Sequence, residues 1–233
     1  MGKAYNHSVN MMSLETNVKD WENYMLETDS LKGTQAQDLI ESLNQIYIEI
    51  HKAQAEWKKV SPFQCPDGCG CCCVDFEPDI LESEALYLAA WMLYHQKDRA
   101  EAILSGSFEP HTQSISGCIL FNPDSPYHCT VYEGRCLICR LFGYSGDRGK
   151  EGEIRWKPCK FLPIDVVSVN SRFHRQLTGD EMLEYFGTVP PVMSDCTAQI
   201  ISLSPDAVTH RLPLREALPK AIGKIQMLQR LLL

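Results

Sequence analysis

Five thiols stand within nine residues, at Cys65, Cys69, Cys71, Cys72 and Cys73 of the run FQCPDGCGCCCVDF. So dense a cluster is rarely structural padding. Six more follow at Cys118, Cys129, Cys136, Cys139, Cys159 and Cys196, leaving a thiol-rich middle between flanks that hold almost none. Any chemistry in this chain belongs to that middle.

A thiolate metal site needs several sulfurs converging at about 2.3 Å from one zinc ion, with a similar reach for iron in a cluster, and short Cys-x(2–4)-Cys loops supply such bites. Cys65 to Cys69, Cys69 to Cys72 and Cys136 to Cys139 have that spacing. Cys72 and Cys73 are adjacent, and in an extended backbone their side chains diverge to opposite sides. Read that way, the pair serves two ions, or two atoms of one polynuclear cluster, better than one mononuclear site. A disulfide between them would strain the planar trans peptide.

The chain has 233 residues, enough for one domain with helical extensions and a sizeable core. We expect N-terminal helices over 1–60, a cysteine-bearing core over 61–165 and a C-terminal helical segment over 166–233, packed as one unit. The net charge of −8 argues against a nucleic-acid partner, which draws Lys and Arg to one face. No apolar stretch approaches the roughly 18 residues of a membrane span, and the N-terminus lacks the pattern of a secretion signal. Gly2 suggests myristoylation only superficially, because Asn6 stands where Ser or Thr is wanted. The expectation is a soluble, cytoplasmic protein, in which eleven cysteines favour metal ligation or redox chemistry over disulfides.

Residues 34–59 predict a long amphipathic helix, with Thr34 and Gln37 as a capping box and Leu39, Leu43, Ile46, Ile50, Ala53 and Trp57 on one face. Lys58, Lys59 and Pro62 mark its end, which delivers the chain into the thiol cluster. A weaker amphipathic segment covers 16–27. Asp79 and Glu82 read as the capping box of a buried helix reaching about His95, followed by a short one over 98–104. Residues 106–153 show no sustained period and read as loop; since packed domains seldom carry so much loop, something other than periodic hydrophobic burial must hold it. Short strands are expected at 154–156 and 164–169, a helix capped by Thr178 and Glu181, a loop at Pro190 and Pro191, and a terminal helix over 219–232. The fold class is mainly α with irregular loops and at most short strands, with helices around a cysteine-rich, metal-binding core.

At Cys65 to Cys73 and again at Cys118 to Arg140 the chain resembles the YkgJ-type cysteine-cluster family, a zinc- or iron-chelating domain. The first family block reads approximately F-x-C-x(2,3)-C-G-x-C-C, and Phe63, Cys65, Cys69, Gly70, Cys72 and Cys73 occupy it. The second reads approximately C-x-F or C-x-x-L, a short spacer, then C-x-I-Y-x-x-R-P-x-x-C-R; Cys118, Phe121, Cys129, Val131, Tyr132, Arg135, Cys139 and Arg140 follow in that order. Cys136 stands where the family usually has Pro, and Cys71 fills a variable position. Both departures add thiols. Some relatives resemble the flagellin lysine N-methylase.

The resemblance and the spacing together imply metal ligation by Cys65, Cys69, Cys72, Cys73, Cys118, Cys129, Cys139 and Cys159. Cys71 and Cys136 divide evenly between spare ligand and plain thiol, Cys196 reads as a small buried hydrophobe, and His128 reads as a hydrogen-bonded loop side chain more than as a ligand. Arg135 and Arg140 are candidates to neutralise a thiolate cluster or to bind an anion. The leading reading is an iron–sulfur cluster or polynuclear iron site for redox chemistry, sensing or metal handling. Zinc is the close alternative, since soft ligands and the divalent-metal affinity order favour it while the vicinal pair and the thiol surplus favour a polynuclear centre. An enzyme using the cluster, such as a protein methylase, and a structural zinc module with an apolar outer face on 34–59 are the remaining readings.

Overall fold

The computed structural model describes residues 26, 28–63, 65, 69–111, 116–125, 127–162, 175–204 and 210–232. The segments read above as a helix over 16–27 and a strand over 164–169 lie outside the described residues, save Leu26, which is buried. The fold is mainly helical with short strands, as its sequence implies.

Helix α1 (Gln35–Val60) starts where Thr34 Oγ1 accepts from the Gln37 amide, preceded by a 3-10 turn (Asp29–Leu31), and stops at Ser61 ahead of Pro62. Its apolar stripe, including Ile40, Leu43, Tyr47 and Ile50, is buried. Helix α2 (Glu82–His95) is apolar nearly all round and lies at the centre of the bundle, between α1 and the terminal helix α7 (Leu214–Leu231). Helix α3 (Lys97–Ser105) ends at Gly106, whose φ of 74° puts it in the left-handed region that glycine adopts without strain, and it too packs on α7. Among the described residues no helix is long and apolar enough to cross a membrane.

The capping of α2 differs from the sequence reading. Asp79 lies in β1 (Asp79–Ile80), which pairs antiparallel with β5 (Leu212–Pro213), and the acid that closes the helix is Glu84. The strand pairing takes the Asp79 backbone before a helix can start. Helix α7 begins five residues earlier than Pro219, which the opening turns of the helix accommodate.

The middle segment is less irregular than its sequence implies. It contains the one-turn helix α4 (Leu137–Leu141) and strand β2 (Asp147–Arg148), and an isolated bridge joins Phe121 to Cys129. Leu120, Val131, Leu137 and Leu141 are buried in the main core, so apolar burial does help hold it. These residues are too widely spaced to show a period. Strands β2, β3 (Ile154–Trp156) and β4 (Leu177–Thr178) form an antiparallel sheet, with α5 (Gly179–Phe186) capped by Thr178 and Glu181 as expected. Helix α6 (Met193–Ser202), which the sequence reading passed over, packs on α1 and α4 and buries Cys196 as a hydrophobe. A small second core of Trp57, Phe63, Trp156, Leu177 and Met182 joins the end of α1 to this sheet. Its rings meet edge-on, with Trp57 5.3 Å from Trp156 and 5.1 Å from Phe186.

Candidate metal centre

The two cysteine blocks meet at a cavity that Leu88 of α2 and Leu214 of α7 also line. Residues 71–73 form a turn, closed by a 2.8 Å hydrogen bond from the Cys73 amide to the Gly70 carbonyl. The turn brings the sulfurs of Cys72 and Cys73 to 3.9 Å from each other. Two thiolates on one tetrahedral zinc stand about 3.8 Å apart, from the 2.3 Å bond length. The expectation that adjacent side chains diverge therefore fails: it assumed an extended backbone, and the chain turns instead. Both sulfurs have the spacing to serve one ion.

The Cys73 carbonyl accepts from the Cys118 amide at 3.2 Å, which ties the first block to the second. From there the chain runs out and back as a hairpin-like loop, with Thr130 N donating to Leu120 O, so that Cys118 and Cys129 return to the same place. Gly70 packs directly on this loop. A Cβ there would come within 2.4 Å of the His128 Cβ, so only glycine fits. His128 accordingly serves as packing against Gly70 and Phe121, with its ring centroid 5.9 Å from the phenyl ring.

Cys69, Cys72, Cys73, Cys118, Cys129, Cys136 and Cys139 line one cavity of about 50 Å³, whose other walls include Phe76, Leu88, Leu120, Tyr132, Arg135 and Phe142. A single water needs roughly 10 to 15 Å³ on this measure, so the space exceeds that of one small occupant. Cys65 and Cys159 stand outside this wall. Burial, with the neighbouring thiols Cys69, Cys159 and Cys72 adding to it, pushes the Cys65 thiol up to about 12. All eleven cysteines are free thiols. Among the described residues no three donors already stand close enough to make a finished cage. The thiols form a wall around a cavity, and their type and number suit a soft or borderline metal.

Electrostatics points the same way. Burial raises Cys118 to about 12 and also pushes Cys129, Cys136 and Cys139 up, with neighbouring thiols adding to each. The hydrogen bond that the two share raises Cys73 and lowers Cys72, the latter helped by Arg135. Crowded thiols resist ionising together, and a cation among them reverses that penalty.

Arg135 is the cavity's cation. Its guanidinium lies 3.5 Å over the Tyr132 ring, which in turn stacks on Tyr127 at 4.2 Å, and its buried Nε lacks a hydrogen-bond partner. Arg140 is placed differently. It is buried beneath the segment, donates to the carbonyls of Arg135 and Glu133, and lies 4.1 Å over the Tyr47 ring. It shapes the 133–135 turn from below.

Residues 64–160 match the CxxCxxCC family, described as "Putative zinc- or iron-chelating domain". The cysteine segment is similar to that family over this stretch, which is under half of the chain. No curated protein and no solved structure gives a significant match. The CxxCxxCC match supports metal binding by the cysteines and is neutral between zinc and iron.

Three residues that support the cysteine segment escaped sequence reading. Buried Glu84 accepts from the amides of Leu81 and Leu137 at 3.0 and 2.8 Å, capping α2 and, across 53 positions, the α4 turn that carries Cys139. Gln54 of α1 donates to the Arg140 carbonyl at 2.7 Å and holds the other end of that turn. Tyr144 Oη accepts from the Cys65 amide at 2.9 Å. The acid pair Glu82 and Glu84 gave a partial signal for the first, but contacts across 79 and 86 positions leave none for the others.

Proposed function

We propose that the protein holds a polynuclear metal centre, an iron–sulfur cluster in the first instance, on the thiolates of its central domain, for redox chemistry, sensing or metal handling. The observation that carries this reading is the cavity wall. Seven thiols surround one space larger than a single ion needs, and a zinc ion takes only four. The ligands are drawn from Cys69, Cys72, Cys73, Cys118, Cys129 and Cys139, with Cys65 and Cys159 alongside. The cluster supplies electron transfer or a bound ion; the protein supplies an apolar wall and one cation, Arg135, both of which set the potential of a thiolate centre.

Zinc is the second reading, favoured by the 3.9 Å spacing of Cys72 and Cys73, which fits two ligands of one tetrahedral ion. A module that displays α1 to a partner has less support, because Val60, its last residue, is the one large apolar side chain that α1 exposes.

Anaerobic purification followed by elemental analysis and an absorption spectrum tests the choice. Brown protein with iron and sulfide, bleached by dithionite, is expected. Colourless protein with stoichiometric zinc selects the second reading, and protein that takes up neither metal ends both.

A further inference from the structure

The peptide unit that leads into Cys118 is gripped at both of its polar ends. Its N–H, the Cys118 amide, donates to the Cys73 carbonyl at 3.2 Å, and its C=O, the Gly117 carbonyl, accepts from Arg215 Nη2 at 3.0 Å. The Cys118 carbonyl in turn accepts from the Phe121 amide at 3.1 Å. A trans peptide is planar, so holding the units on both sides of Cys118 fixes the direction in which its side chain leaves the backbone. That side chain is one of the thiols at the cavity wall.

Arg215 holds the Gly117 carbonyl with the same guanidinium edge that it uses on an acid. Its Nε donates to Glu77 Oε2 at 2.5 Å. The Glu77 side chain is only 8 % exposed and its other oxygen is buried without a partner, so among the described residues Arg215 supplies the hydrogen bonding of this carboxylate. Removing the arginine would leave a buried charge uncompensated. Beside it the Leu214 amide donates to the Pro78 carbonyl at 2.9 Å, and Leu214 lines the cavity. Leu214 and Arg215 open α7, well beyond the stretch 64–160 that the family description covers.

We propose that Arg215 is a positioning residue of the metal centre, which aims the Cys118 thiol through the Gly117 carbonyl, and that the first turn of α7 therefore completes a centre whose thiols all lie elsewhere. This rests on the metal-binding reading above and extends the centre to a helix outside the cysteine segment. Groups that orient a metal ligand from behind typically change affinity by about 10 to 100-fold when they are lost. With the Gly117 carbonyl released, the peptide turns and Cys118 drops out of the ligand set.

The test uses the full chain, reduced, with zinc and cobalt(II) as probes. Zinc affinity is read by competition with a chromophoric chelator, and the thiolates on the metal by the sulfur-to-cobalt charge-transfer absorption per bound ion. Arg215→Met should weaken zinc binding about 10 to 100-fold and lower the charge-transfer absorption, with far-UV dichroism unchanged. Arg215→Lys keeps a positive charge for Glu77 but lacks the planar edge that holds two acceptors at once; it should show the same two losses to a smaller degree, and it carries the test should Arg215→Met not fold. Arg211→Met, which removes a bond to the Asp79 carbonyl at 3.3 Å, should leave both readouts at the wild-type value. Three results overturn the proposal: wild-type affinity in a folded Arg215 variant, weakened affinity with undiminished charge-transfer absorption, or an equal loss in Arg211→Met. Wild-type protein that binds none of zinc, cobalt and iron would instead remove the metal-binding reading itself, so the two failures are distinguishable.

Discussion

The helical frame and the cysteine centre share one core but are held by different means. In the frame, α1, α2 and α7 bury continuous apolar stripes, and a residue such as Leu43 is fully enclosed by others of its kind. In the centre, four scattered aliphatic side chains reach that core, and the rest depends on a few polar pins: Glu84, Gln54, Tyr144, Arg140 and the Cys73 to Cys118 backbone bond. The frame gains stability from many small contacts and tolerates the loss of one. The centre concentrates its stability in single groups and, on the reading proposed here, in a metal. Thiols crowded in that way repel as they ionise, so the centre needs a cation in a way the frame does not.

The largest expected effect separates the two regions outright. Metal binding in small thiolate sites is worth roughly 10 to 16 kcal/mol, against about 5 to 15 kcal/mol for a whole domain. Chelation, or the double substitution Cys72→Ser with Cys73→Ser, should abolish tight metal binding and open 106–160 to protease while far-UV dichroism keeps most of its helical signal. A single cooperative loss of both signals would erase the distinction. Leu43→Ala is the converse probe. It should cost about 2 to 5 kcal/mol by creating a cavity, seen as an earlier urea midpoint in which helix and centre melt together.

Glu84→Ala removes the acceptor of two buried amides and should cost about 1 to 3 kcal/mol for each amide left unpaired. Hydrogen exchange should quicken at both Leu81 and Leu137; protection unchanged at Leu137 would uncouple the frame from the centre. Gly70→Ala, which drives a methyl into His128, should cost about 1 to 3 kcal/mol and lower metal occupancy more than it lowers helix stability. The smallest effect is a pH dependence inside the frame. Burial, with Lys58, Arg140 and Arg135 adding to it, lowers His51 to about 4. The unfolded chain therefore takes up this proton first, so stability falls as pH drops from about 6.5 towards 4 and is unaffected above that range. His51→Gln should flatten that part of a stability-against-pH curve, and an unaltered slope would assign it to other groups.

How much could be read beforehand follows the same division. Helices α1, α2, α3, α5 and α7 announce themselves through period and caps, because a frame built by stripe burial leaves its geometry in local spacing. Helices α4 and α6 do not, one being a single turn and the other following two prolines without a capping signal. The thiol types and their two blocks were legible. Their arrangement was not, since the 71–73 turn that brings Cys72 and Cys73 together depends on Gly70 packing under His128.

The sequence alone determined the chemical character of this protein: which residues are soft donors, that they crowd one segment, and that amphipathic helices surround it. These are properties of composition and short spacing, carried by each residue wherever the chain goes. Only the tertiary structure decided which thiols face the cavity, and that Arg135 faces the cavity where Arg140 supports it from below. Those outcomes turn on contacts between positions as far apart as Cys73 and Cys118 or Tyr47 and Arg140, where closing the chain on itself, and not any local preference, selects the partner.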